Sequence, residues 1–86
     1  MSPTVLVSGP YRFFFFSNER NEPPHVHAAR NRKAAKFWLS PVRTAYNHGF
    51  NPNEVNRVAA IVREHETELL KAWHEYFGTR DRNDGS

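Results

Sequence analysis

The chain has no cysteine in its 86 residues, so disulfides and thiolate chemistry are excluded. No apolar run approaches the roughly 20 residues that span a membrane. The N-terminus lacks the basic region and the following apolar stretch of about 7–15 residues that mark a signal peptide. A cytoplasmic protein without membrane association is therefore expected. Internal repeats are absent, and no complete catalytic motif can be read. Hydrophobic residues are also scarce, at 38%.

What is present is aromatic. Seven Phe, three Tyr and two Trp make up 14% of the chain, and each buries roughly 150–250 Å². A domain of this size buries only about 60–65% of its unfolded surface, so these large side chains must share one core. The formal charge is +3 but unevenly spread. Residues 1–46 carry seven Lys/Arg against two Glu, whereas residues 53–77 carry three against five. The first half is basic and the second mildly acidic.

Thr4 to Val7 reads as a brief strand ended by Ser8-Gly9-Pro10. Tyr11 to Phe16, with four consecutive Phe, suits a strand buried on part of both faces. Ser17 to Pro24 is a polar loop. His25 to Arg30 and Lys33 to Leu39 form a hairpin about Asn31-Arg32, because Asn tolerates the left-handed conformation of a tight turn. Val42 to Tyr46 supplies a further short strand, and Asn47-His48-Gly49 a turn. Asn51, Pro52 and Glu54 make a capping-box start with proline at the first helical position. Phe50 is placed to staple onto Val55. Val55, Val58, Val62, Leu69, Trp73 and Tyr76 follow a 3.6-residue period, with no Gly or Pro from Asn53 to Phe77. The expected fold is α+β: a small antiparallel sheet of three to five strands from the N-terminal half, packed against one long C-terminal amphipathic helix. The domain covers residues 1–77, and residues 78–86 form a polar mobile tail.

His25 and His27 stand two apart in a strand, so both imidazoles project from one face, about 7 Å apart. Such a pair can do acid–base work, contact a substrate, or simply bond the backbone after the double proline. A metal would need a third ligand. Glu22, His48 and Glu66 stand at no diagnostic spacing, so neither a metal nor another cofactor is expected. Glu66 lies inside the helix stripe, where a lone carboxylate needs a partner. It is the candidate for a structural polar pair with Arg12, Lys36, Arg43 or a histidine of the sheet. Arg30, Arg32, Lys33 and Lys36, with Trp38, form a candidate binding set, to which Arg20 and Arg43 add. Beside Tyr11 and Phe37, that hairpin could follow phosphates and stack bases, or dock an acidic protein. The alternative is a solvated turn.

Glu22-Pro23-Pro24-His25-Val26-His27, Lys36-Phe37-Trp38-Leu39-Ser40-Pro41-Val42 and the helix end Leu69 to Phe77 resemble the bacterial domain of unknown function 4160 family over roughly residues 5–77. The resemblance implies that His25 and His27 belong to the family's signature site. It also implies a small protein partner encoded nearby, similar to the domain of unknown function 2442 family, in a toxin–antitoxin-like pair. The family often has Asp where this chain has Ser40, which removes one carboxylate from that region.

Two functions follow. One is a small protein-interaction module of such a two-gene system, with the basic hairpin available to nucleic acid and a homodimer as the other use of its bare sheet face. The second is a ribonuclease-like toxin. RNA supplies its own 2′-hydroxyl nucleophile, and His25 and His27 would act as base and acid beside Arg30 and Lys36.

Overall fold

The computed structural model describes residues 4–19 and 21–78. Arg20 of the basic set and the tail from Thr79 lie outside the described residues. Five antiparallel strands follow one another across the sheet in chain order. They are β1 (Thr4–Ser8), β2 (Tyr11–Phe14), β3 (His25–Arg30), β4 (Lys33–Leu39) and β5 (Val42–His48). Gly9 (φ 58°) and Asn31 (φ 56°) supply the left-handed residues of the first and third connections, and the β4–β5 turn carries a cis Ser40-Pro41 bond.

One face of this meander is the core. Residues paired across an antiparallel ladder share a face. The pairs Phe13↔Ala28, Val26↔Phe37, Ala28↔Ala35 and Leu39↔Val42 therefore align Phe13, Val26, Ala28, Ala35, Phe37, Leu39 and Val42, all buried. Tyr11 and Phe15 join them. Val58, Ala59, Val62, Leu69, Trp73 and Phe77 close the core from the helical side.

The helical half departs from the single continuous helix expected. It is α1 (Pro52–Glu64), α2 (Glu66–Trp73) and a π-helical turn at His74–Gly78. His65 leaves helical geometry (φ −107°, ψ 19°). Its N–H is shared between the carbonyls of Ile61 (3.1 Å) and Val62 (3.2 Å), a tightening common where helices end. Its ring bonds Glu68 at 2.6 Å, so the next helix starts with its own local tie. The expected start of α1 is as read. Asn51 accepts from the Glu54 N–H at 2.8 Å, with Pro52 as the first helical residue. Val55 is only partly buried. Among the described residues, no helix is long and apolar enough to cross a membrane.

The carboxylate that ties helix to sheet is Glu54, not Glu66. Glu66 is partly exposed and takes no sheet partner among the described residues. Glu54 instead turns away from its cap and reaches the core face. It accepts from the Tyr11 hydroxyl (2.9 Å), Arg30 Nη1 (2.8 Å) and Lys33 Nζ (3.3 Å). The Tyr11 bond, then those from Arg30 and Lys33, outweigh the effect of desolvation and hold the Glu54 carboxyl below its usual range. The Glu54 and Tyr11 bonds likewise hold Arg30 more firmly protonated.

Two outcomes are expected. Trp73 is 4% exposed and meets Phe15 edge-on at 5.3 Å, so Trp73→Ala should cost about 3–5 kcal/mol in urea unfolding. A Glu whose carboxyl is lowered on folding contributes stability above its unfolded value, near 4.5, and loses it as pH falls through the folded value. Glu54→Gln should therefore melt below the wild type at pH 7, and the gap should close on acidification below that value. A gap independent of pH would show that the carboxylate charge is not what joins α1 to the sheet.

Candidate functional site

The histidines lie on the other face. The pairs His25↔Trp38, His27↔Lys36 and His27↔Phe14 place His25 and His27 with Phe14, Lys36 and Trp38, away from Val26 and Ala28. The two imidazoles do share a face, with ring centroids 5.2 Å apart. They are not open to solvent: His25 is 0% and His27 4% exposed.

Glu19 encloses them. The Ser17–Pro24 loop folds back through turns at Glu19 N–H to Phe16 O and Glu22 N–H to Glu19 O. One carboxylate oxygen, Glu19 Oε1, then stands 2.7 Å from His25 Nε2 and 2.7 Å from His27 Nε2. The far nitrogen of His25, Nδ1, meets the Pro23 carbonyl at 2.9 Å. A carbonyl only accepts, so Nδ1 carries a proton and Nε2 is the nitrogen turned to Glu19. The double proline earns its place here, since Pro23 offers a carbonyl on an extended backbone. Pro24 adds a carbonyl that accepts from the Leu39 N–H at 3.0 Å.

Packing fixes both rings. His27 stacks on Phe14 (5.6 Å) and meets Phe16 edge-on (4.4 Å). Trp73 reaches the end of β3 and lies 4.8 Å from His25. Burial pulls His27 below the usual imidazole value more strongly than Glu19 pulls it up. Burial would push the Glu19 carboxyl up, but the bonds from the two imidazoles prevail and hold it below its ordinary value.

The candidate binding residues do not form one surface. Arg30 and Lys33 pair with each other on the core face and bond Glu54, while Arg32 is exposed at the turn. Lys36 and Trp38 are on the histidine face. Lys36 bonds Glu22 at 2.5 Å and covers the Trp38 ring at 4.7 Å. Tyr11 and Phe37, placed beside the hairpin as stacking residues, are core, at 2% and 0% exposed. What the histidine face does present is aromatic and cationic. The pairs Val7↔Arg12 and Lys36↔Tyr46 add Val7, Arg12 and Tyr46 to it, and Trp38↔Arg43 adds Arg43. Arg43 and Tyr46 share this face because Ala45 is an unpaired bulge residue between the Lys36↔Tyr46 and Phe37↔Thr44 pairs. Pro23, Pro24, Pro41, Ser40, Trp38 and Arg43 wall a shallow pocket at one end.

Sequence reasoning had not singled out Glu19 and Glu54. Glu19 is six and eight residues from its histidines in an irregular loop, and no spacing rule connects them. Glu54 was visible only as a capping residue.

No curated protein and no solved structure matches the chain. A family model does, over residues 11–74, spanning β2 to the end of α2 and including the Glu19–His25–His27 cluster. The chain belongs to the family described as a domain of unknown function, DUF4160.

Proposed function

We propose that this domain is a protein-interaction module that binds through the sheet face opposite its helices. One observation carries the reading. The large hydrophobic residues that stay exposed among the described residues are Val7 (63%), Phe16 (36%) and Tyr46 (49%). Val7 and Tyr46 lie on that face by register, and Phe16 packs onto His27 there. Arg12 and Arg43 share that face by register. Aromatic anchors beside cations suit an acidic protein surface.

The occupant is a small acidic protein encoded beside this chain, of the DUF2442-like kind that the family resemblance implies, in a toxin–antitoxin-like pair in the cytoplasm. The ribonuclease reading has less support. Its two histidines are enclosed, the Arg30 it would use is committed to Glu54 on the other face, and Lys36 is bonded to Glu22.

Titration of the purified chain with the neighbouring gene product tests this by calorimetry and size-exclusion chromatography. A one-to-one complex is expected, and Tyr46→Ala and Phe16→Ala should each weaken it at least about tenfold, or roughly 1.4 kcal/mol. Both positions are exposed, so the melting temperature should stay near that of the wild type. Self-association without the partner, binding of single-stranded nucleic acid on the same residues, or a complex indifferent to both variants would each overturn the proposal. Growth arrest by the chain alone, relieved by His27→Ala, would favour the ribonuclease instead.

A further inference from the structure

We infer that Glu19, His25 and His27 form a binding site for a divalent transition-metal ion of the zinc class. Their donor atoms all lie within 4.8 Å of one another, and three features of the cluster fit a ligand set better than a hydrogen-bonded knot.

The first is the orientation of His25. Its Nδ1 is fixed on the Pro23 carbonyl at 2.9 Å, the arrangement in which a metal-binding histidine donates its outer N–H to a backbone carbonyl. That turns Nε2 to a carboxylate oxygen 2.7 Å away, a separation at which a proton or a cation must lie between the two atoms. A metal ion satisfies both nitrogens and the carboxylate together.

The second is donor chemistry. Two imidazole nitrogens and one carboxylate oxygen match the three-ligand set of open zinc sites, not the all-oxygen shells of magnesium or calcium. The third is reach. Zinc–ligand distances of about 2.0–2.2 Å put tetrahedral donors about 3.3–3.6 Å apart. The Glu19 oxygen must therefore withdraw by about 0.6–0.9 Å from each imidazole to admit the ion. The histidines are held by β3 and by Phe14, Phe16 and Trp73. Glu19 is on a loop with its side chain 21% exposed, so it is the donor free to move. The same exposure gives the ion a path in and leaves a fourth position for water or a ligand.

The site goes beyond the interaction reading and can stand or fall without it. The test is titration of the full, tag-free chain with Zn²⁺ by calorimetry, and with Co²⁺ by visible absorption. One equivalent per chain is expected, with the intense d–d bands of a four-coordinate Co²⁺ that Zn²⁺ displaces. Glu19→Gln, which keeps the shape of the loop residue, and His27→Gln should each weaken binding by more than about tenfold. Far-ultraviolet circular dichroism of the same samples should report a folded chain. Absence of stoichiometric binding to the folded wild type overturns the inference. So does wild-type affinity in both folded variants, which would place the ion elsewhere. Should both variants fail to fold, the Co²⁺ spectrum of the wild type decides alone: weak octahedral bands overturn the site, and tetrahedral bands uphold it.

Discussion

Strand β3 is buried on both faces, and that constraint organises the domain. His25 through Ala29 are all withdrawn from solvent. Val26 and Ala28 need an apolar cover, which the helices provide through Val58, Val62, Leu69 and Trp73. His25 and His27 need a polar one, because a buried imidazole without partners costs about what a lost hydrogen bond costs. The Ser17–Pro24 loop supplies it: Glu19 for the two Nε2 atoms and Pro23 for His25 Nδ1. No buried side-chain nitrogen or oxygen among the described residues lacks a partner. A short meander with one helical layer can bury a central strand on both sides only if a loop stands in for the missing second layer.

The same economy governs the charges. The basic first half suggests a basic surface, yet the structure spends much of that charge internally. Arg30 and Lys33 converge on Glu54, and Lys36 on Glu22. A carboxylate with three donors, one of them a buried tyrosine hydroxyl, is a strong local tie, and it joins the first turn of α1 to the β3–β4 hairpin. The cationic character that remains comes from Arg12 and Arg43 on the opposite face, where Arg12 already leans on the Phe14 ring.

Much of this was legible before any coordinates, and the exceptions share a physical cause. The β3–β4 hairpin could be placed because Asn31 is a residue that accepts φ 56°. The start of α1 could be placed because Asn51, Pro52 and Glu54 carry local signals that need no tertiary contact. The break at His65 had no such signal. Leu69 and Trp73 keep the apolar period across it, so a periodic reading runs straight through and puts Glu66 in the core. Tyr46 falls on the histidine face only because Ala45 bulges, and a bulge leaves no trace in side-chain alternation. Glu19 is the same problem over a longer span. Its distance from His25 is set by how an irregular loop folds, and only a chain already folded brings them to 2.7 Å.

The histidine cluster and the exposed aromatic face are parts of one surface. Phe16 is held against His27, and Phe14 stacks on the same ring while meeting Phe16 edge-on at 5.4 Å. Tyr46 lies 6.5 Å from it on the other side. His27 is therefore the pivot between the Glu19 clamp beneath and the anchors above. Lys36 couples in as well, through Glu22, whose carboxylate also stands 3.6 Å from His25 Nδ1. A face built this way has its aromatic anchors seated directly on the polar group that the fold had to bury, so the cost of enclosing two histidines is returned as rigidity where a partner would touch.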